Sequence, residues 1–244
     1  MLKQFSDIKH VVYINLESRT DRKEHVVAEL SKLKENGLLS ATPFSDDTLE
    51  RQRKSIGIGD EAGALVRFNA VKLATGNGAL GCSMSHLKCL EMAKKNDWPH
   101  VLICEDDIVF LDPVLLVSQI NAFLSKNDSW DVLLLAGNNM LPYNPVDDTC
   151  IQVRHCLTTT GYIVQNHYFD TLIKNYKEGI VKLMKHPDDK KLYALDKYWI
   201  HLQMEDKWFL IIPLSVIQRE DYSDIEGKVT NFKKYMLDYN KCYK

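Results

Sequence analysis

Residues 101–107 read Val-Leu-Ile-Cys-Glu-Asp-Asp, an apolar run that ends abruptly in three consecutive carboxylates. A short apolar run with polar bounds predicts a buried strand over 100–104. In open α/β sheets ligands bind just beyond the carboxyl ends of the strands. Glu105, Asp106 and Asp107 are therefore expected at the rim of a cleft. Adjacent acids repel one another and are unfavourable to bury unpaired. A hard divalent cation such as Mg²⁺ or Mn²⁺, which prefers oxygen ligands, would offset that repulsion. A solvated acidic turn is the alternative reading of the triplet.

The flanking sequence alternates between strand and helix patterns. His10 to Leu16 reads as a strand, and Asp21 to Lys34 as a helix with Val26, Leu30 and Leu33 on one face. Ala41 to Phe44 reads as a short strand, residues 45–65 as a polar excursion, and Val66 to Val71 as another strand. Ser83 to Lys95 is expected to be a helix with Met84, Leu87 and Leu90 inward. Beyond the triplet, Asp112 and Pro113 form a helix start of N-cap and first-position Pro, with the helix ending near Ser125. Asp131 to Ala136 reads as a buried strand and 151–165 as one or two more. Asn166 is a candidate cap for a helix to Tyr176, and 195–205 reads as helical. Trp208 to Ile217 is an apolar run broken by Pro213. One α/β domain over 1–227, with 228–244 as a helical or loose tail, is the economical division.

Composition narrows the function classes. The chain has 244 residues, of which 45% are hydrophobic, so a sizeable core is available. The net charge of −2, with dispersed basic residues, argues against a nucleic-acid binder. The Lys185 to Lys191 run, diluted by Asp188 and Asp189, reads as a solvated loop. No apolar stretch approaches the ~20 residues needed to span a bilayer, and the opening residues lack the apolar core of a signal peptide. The expectation is a soluble, cytoplasmic chain. None of the six cysteines forms a Cys-x-x-Cys pair or shows zinc-type spacing with His. Cys89 and Cys104 read as buried thiols, and Cys82, near a helix start, as a candidate reactive one.

Two polar clusters precede the triplet. Asn15-Leu16-Glu17-Ser18-Arg19-Thr20-Asp21-Arg22 is a turn between strand and helix. The free N–H groups and positive end of a helix suit a pyrophosphate there, and Arg pairs bidentately with phosphate oxygens. No Gly-x-Gly-x-x-Gly accompanies it, and an ordinary capped helix start is the alternative. The second cluster, Gly81-Cys82-Ser83-Met84-Ser85-His86, combines a candidate N-cap at Ser83 with a histidine that either faces a ligand or is a satisfied structural residue.

The order of these segments resembles glycosyltransferase family 25. The resemblance rests on Tyr13-Ile14-Asn15-Leu16 with Arg19, Asp21 and Arg22, on Arg67-Phe68-Asn69-Ala70, on Gly81-Cys82-x-x-Ser85-His86, and on Glu105-Asp106-Asp107. It continues through Thr158 to Tyr162, Leu195-Asp196, and Gln218 with Ser223-Asp224-Ile225. The opening Leu-Glu-Ser-Arg departs from the Leu-Glu-Arg of bacterial members and is closer to collagen-type and large-virus-like versions.

The resemblance implies a GT-A-like single α/β domain with a Rossmann-like nucleotide-binding half. It implies an inverting, metal-dependent transfer of a hexose or N-acetylhexosamine from a UDP-sugar to a hydroxyl acceptor, which is a glycan, a lipid-linked sugar or a protein side chain. Asp107, with Glu105, would hold Mn²⁺ or Mg²⁺, and Glu105 or Asp106 would face the ribose or the metal shell. Asn15, Leu16, Arg19 and Arg22 would shape the nucleotide pocket, with Ser85 and His86 near the donor phosphates or sugar. Asp196 is the candidate base, against a helix-cap reading, with Glu205 and Asp206 next in line. Other classes left open are a catalytically silent nucleotide-sugar or protein-binding relative and a metal-dependent phosphohydrolase or nucleotidyltransferase.

Overall fold

The structure, a computed structural model, describes residues 2–38, 64–73, 77–223 and 227–242. The expected strand Ala41 to Phe44 and most of the excursion 45–65 lie outside these residues. The centre is an eight-stranded sheet, and its strands run in the order 64–69, 10–15, 100–105, 161–165, 132–134, 208–211, 150–153, 143–145. We label His10–Asn15 β1, Ala64–Asn69 β2 and His100–Glu105 β3. These three are mutually parallel, as are 132–134 and 208–211, while Gly161–Gln165 runs antiparallel between the two groups. This mixed, mostly parallel sheet is the GT-A-like α/β arrangement expected.

The inner parallel strands are buried on both faces, which explains their uninterrupted apolar runs, whereas the edge strand β2 fully buries only Val66 among its described residues. Every residue of β1 is buried, as are Val101 to Cys104 of β3. Helix α1, Thr20–Glu35, turns Val26, Leu30 and Leu33 inward as expected and packs with the helix Pro113–Lys126. Helix α2, Gly78–Lys95, packs with the helix Phe169–Lys185. The chain crosses from β1 to β2 and then back past β1 to β3.

α2 departs from expectation. It begins five residues before Ser83, and its cap is Asn77, whose side chain accepts from Leu80 N at 3.0 Å. Ser83 instead bonds back to Ala79 O at 2.9 Å within the helix. The inward face carries Ser85, His86, Cys89, Leu90 and Ala93, while Met84 and Leu87 are only half-buried. Small and polar residues are inward because the helix lies close to neighbouring backbone. A Cβ on Gly81 would sit 2.4 Å from Val71 O.

Downstream, Asp112 caps its helix by accepting from Leu115 N at 2.9 Å. The segment 166–185 is a short 3₁₀ turn and then a helix that ends nine residues later than expected, with no side-chain cap from Asn166. The expected helix 195–205 is two short ones, Leu195–Tyr198 and Ile200–Glu205. Pro213 separates the strand Trp208–Ile211 from Val216–Gln218, which pairs with Ile108–Phe110. Residues 228–242 pack on the body. Lys228–Thr230 pairs with Asp221–Ser223, and Met236 is fully buried.

Candidate active site

A cavity of about 630 Å³ opens at the carboxyl ends of β1, β2 and β3. That volume lies in the range of small-molecule sites. The register brings the strand ends level, with Ile14 opposite Glu105 and Asn15 opposite Asn69. Glu105 is the last residue of β3, and Asp106 and Asp107 make the turn into Ile108–Phe110. The solvated-turn reading of the triplet fails, because Asp106 and Asp107 are only 7% and 6% exposed.

Asp106 and Asp107 share Arg22, and each acid has a further partner of its own. Asp106 accepts from Asn15 Nδ2 at 2.8 Å and from Arg22 Nη1 at 3.0 Å. Asp107 accepts from Gln218 Nε2 at 2.9 Å and from Arg22 Nη1 at 3.4 Å. Among the described residues its other oxygen, Oδ1, is buried with no hydrogen-bond partner. Burial, then the Glu105 charge, pushes the Asp107 carboxyl up to about 7. Burial likewise raises Asp106. Glu105 accepts from Thr159 Oγ1 at 2.8 Å, with His86 Nε2 at 3.4 Å and Cys82 Sγ at 3.7 Å on the same oxygen. Burial pushes Glu105 up, but these hydrogen bonds outweigh it and hold the carboxyl below its ordinary value.

Arg22 is the cation at the centre of the cluster. Besides Asp106 and Asp107 it donates to Asp221 Oδ2 at 3.1 Å and Tyr222 O at 2.8 Å. Expected to shape a nucleotide pocket, Arg22 lines the cavity, and its donors go to carboxylates and a carbonyl of this chain. Arg19, also on the cavity wall, pairs with Asp21 at 2.8 Å and Asp221 at 3.2 Å. Asn15 links the turn to the acids: it donates to Arg19 O and Asp106 and accepts from Arg67 Nη2 at 2.8 Å. Leu16 lines the cavity, half-buried, and its carbonyl accepts from Arg19 N.

Ser85 and His86 reach the cavity from α2, but both side chains are buried and engaged within the chain. Ser85 Oγ donates to Gly81 O and accepts from Val71 N, each at 2.8 Å, which fixes the segment leaving β2. His86 Nδ1 lies 2.8 Å from the Tyr162 hydroxyl, which lies 3.2 Å from that of Tyr176. Cys82, expected near a helix start, sits in the second turn of α2, beside Glu105. Burial, then that carboxylate, pushes its thiol well above the ordinary value, so the reactive reading is reversed. Cys82 and His86 lie four apart on α2 and Glu105 comes from β3, which brings a thiol, an imidazole and a carboxylate within 4.8 Å of one another.

Asp196 lines the far wall, half-buried, in the first turn of Leu195–Tyr198. The N-cap of that helix is Ala194, and Asp196 Oδ2 instead accepts from Thr158 N at 3.1 Å. Thr158 has φ +74°, a left-handed backbone that the Asp196 contact helps to hold. Burial raises the Asp196 carboxyl. Glu205 and Asp206 lie elsewhere. Glu205 is exposed, and Asp206 accepts from Tyr168 Oη at 2.5 Å beside the strand Trp208–Ile211. The lysine run read as a solvated loop contains the helix Lys190–Tyr193, which sets Lys190 and Lys191 on the cavity rim with Lys72, Lys197 and Arg219.

Sequence reasoning missed Thr159 as a partner of Glu105, although it lies inside the Thr158 to Tyr162 motif. It also missed Asp221, which no local pattern marks.

This fold and site define an α/β protein with an acid-floored, basic-rimmed cleft at the ends of parallel strands. Residues 8–191 match the family described as Glycosyltransferase family 25 (LPS biosynthesis protein). The chain belongs to that family. It is also 31% identical over 113 residues to the procollagen lysyl hydroxylase and glycosyltransferase of Acanthamoeba polyphaga mimivirus, a match covering 43% of this chain and 12% of that relative. The chain thus spans only about an eighth of that relative's length. Two solved structures show a more distant likeness. One is a Drosophila β1,4-galactosyltransferase 7 in complex with manganese, UDP-Gal and xylobiose, with TM-score 0.39, 12% identity, and 96% of this chain and 76% of that one covered. The other is a glycosyltransferase involved in glycosylation of the major capsid of PBCV-1, with TM-score 0.38, 9% identity and 83% and 91% coverage. No helix among the described residues is long and apolar enough to cross a membrane.

Proposed function

We propose that this family 25 glycosyltransferase uses a divalent cation to move a hexose or N-acetylhexosamine from a UDP-sugar to a hydroxyl acceptor, with inversion. The observation that carries the reading is the buried Asp107 Oδ1, without a partner among the described residues, in a cavity lined by Glu105, Asp106 and Asp107. Such an atom is unfavourable to bury unless a ligand satisfies it. The donor set, all carboxylate oxygen, fits Mn²⁺ or Mg²⁺. Asp107 and Glu105 would hold the cation, and when bound it supplies charge to stabilise the departing diphosphate.

The chain's own residues supply the rest. Arg22 offsets the charge of Asp106 and Asp107, so the acids stay clustered before a ligand arrives. Asn15 and Gln218 orient the two carboxylates from opposite sides. Lys190, Lys191 and Lys197 give the rim positive charge that suits an anionic donor. Asp196 takes the acceptor hydroxyl proton as that oxygen bonds to the anomeric carbon and the bond from sugar to UDP breaks. Its raised pKa supports this role, since a base works best when its pKa approaches the working pH. The acceptor class stays as the resemblance implies: glycan, lipid-linked sugar or hydroxylated side chain.

The test is a thermal-shift and product assay of the full chain with a panel of nucleotide sugars, with and without Mn²⁺. A UDP-sugar at 100 times its dissociation constant should add about 2.7 kcal/mol of stability, only when the cation is present, and UDP should be the released product. Release of phosphate or pyrophosphate would instead identify a hydrolase or nucleotidyltransferase. Stabilisation by no nucleotide sugar would overturn the reading.

A further inference from the structure

Cys82 and His86 lie four residues apart on α2, so successive turns stack their side chains on one face. Glu105 meets both from β3. His86 Nε2 is 3.4 Å and Cys82 Sγ 3.7 Å from Glu105 Oε1, and the three ligand atoms all lie within 4.8 Å of one another. Zinc bonds of about 2.0–2.3 Å at tetrahedral angles separate neighbouring ligand atoms by roughly 3.3–3.6 Å. Two of the three separations are therefore close to metal-bound spacing already. A thiol and an imidazole also differ in kind from the carboxylates around Asp107, and such donors favour zinc-type ions over Mg²⁺ or Mn²⁺.

The surrounding network supports the same assignment. Glu105 Oε1 can only accept, so the ion-free chain carries a proton on His86 Nε2 and another on the Cys82 sulfur, both directed at that oxygen. In the neutral imidazole that tautomer leaves Nδ1 to accept from Tyr162 Oη, 2.8 Å away, whose oxygen then accepts from Tyr176 Oη at 3.2 Å. A metal-bound histidine needs such an outer partner on its second nitrogen to fix its tautomer.

We propose that Cys82, His86 and Glu105 bind a zinc-type cation on the wall of the cavity, with a fourth position open to it. The ion replaces the two hydrogens that converge on Glu105 Oε1. The Cys82 proton is released to solvent. The imidazole proton leaves Nε2 and Nδ1 gains one, which donates to the Tyr162 oxygen while the Tyr162 hydroxyl turns toward Tyr176. The net change is one proton released per ion bound. Occupation also withdraws Glu105 from the acid cluster, so zinc should oppose the hard-cation site. That consequence rests on the metal-dependent reading above; the binding site itself does not.

The experiment uses the full chain carrying Cys242→Ser, which removes the exposed thiol; Cys89, Cys104, Cys150 and Cys156 are buried. Co²⁺ alone is titrated and followed by absorption, and Zn²⁺ alone by calorimetry in two buffers of different protonation enthalpy. The expected result is a thiolate-to-cobalt charge-transfer band that Zn²⁺ displaces, with about one proton released per ion. Cys82→Ser should abolish the band. It should lower Zn²⁺ affinity by at least the ~10–100-fold that follows loss of an outer partner. Asp107→Asn should keep the band. Absence of the band in the parent, unchanged Zn²⁺ affinity in Cys82→Ser, or loss of the band in an Asp107→Asn protein with native circular dichroism would each overturn the proposal.

Discussion

Arg22→Met removes the cation that bridges Asp106, Asp107 and Asp221 while keeping much of the aliphatic stem. The Arg22 side chain is 12% exposed, and those of Asp106 and Asp107 are 10% and 8% exposed. At that burial the contacts are unlike exposed ion pairs, whose median worth is about 0–1 kcal/mol. Removing one partner of a buried pair leaves an uncompensated charge and destabilises by about 3–5 kcal/mol. At roughly 2–4 °C per kcal/mol for a chain of this size, the melting temperature should fall by about 6–20 °C. The pH dependence has a definite sign. Burial already raises Asp106, and raises Asp107 to about 7. Without Arg22 both rise further. An acid raised in the folded state gives stability that is fully present below its unfolded value and lost as pH rises through the folded one. Asp221 adds in the same direction. Its carboxyl is held low against burial by a bond to its neighbour's backbone and by Arg22, so wild type gains most above the ordinary carboxylate range. The deficit of Arg22→Met should therefore be largest above neutral pH and shrink toward about pH 4. Arg22→Lys should recover only part of it, because a point charge cannot serve Asp106, Asp107 and Asp221 together. Urea unfolding across pH measures all three proteins. A deficit under about 1 kcal/mol, or one that grows as pH falls, would refute the picture of Arg22 as the charge that permits the cluster to be buried.

Asp107→Asn should remove cation-dependent UDP binding yet raise the stability of the ligand-free chain at neutral and alkaline pH, because an ionisation that burial opposes is gone; calorimetry with Mn²⁺ and chemical denaturation check the two halves. In wild type, Mn²⁺ affinity should climb with pH up to about 7 by up to about tenfold per unit, since Asp107 must ionise to bind; a flat profile over that window would remove Asp107 from the cation site. Asp196→Asn should keep donor affinity near wild type and cut transfer by ~10²–10⁴-fold; near-normal turnover would sink the base role and leave Asp196 as the partner of Thr158 N. Gly81→Ala drives a Cβ to within 2.4 Å of Val71 O and should destabilise by about 1–3 kcal/mol; unchanged denaturation would show that the segment after β2 yields freely.

Local chemistry made much of this protein legible in its residues. The apolar run before Glu105 reads as a buried strand, and its abrupt end in three acids points to where the sheet meets the cleft. The 3.6-residue spacing of Val26, Leu30 and Leu33 specified the inner face of α1, and Asp112-Pro113 specified a helix start, because caps and periodicity act over a few residues. α2 was read less well. Its inward face is small and polar, so hydrophobic spacing pointed to Met84 and Leu87 rather than to His86 and Ser85. Other features depend on pairings distant in sequence, which no local pattern encodes. The insertion of Gly161–Gln165 antiparallel beside β3 is what delivers Thr159 to Glu105 and Tyr162 to His86. Pairing of Val216–Gln218 with Ile108–Phe110 brings Gln218 to Asp107, and the hairpin beyond it brings Asp221 to Arg22. From sequence, Arg22 was a candidate phosphate ligand. Tertiary structure alone set it among three carboxylates, because that arrangement exists only once the sheet has ordered its strands.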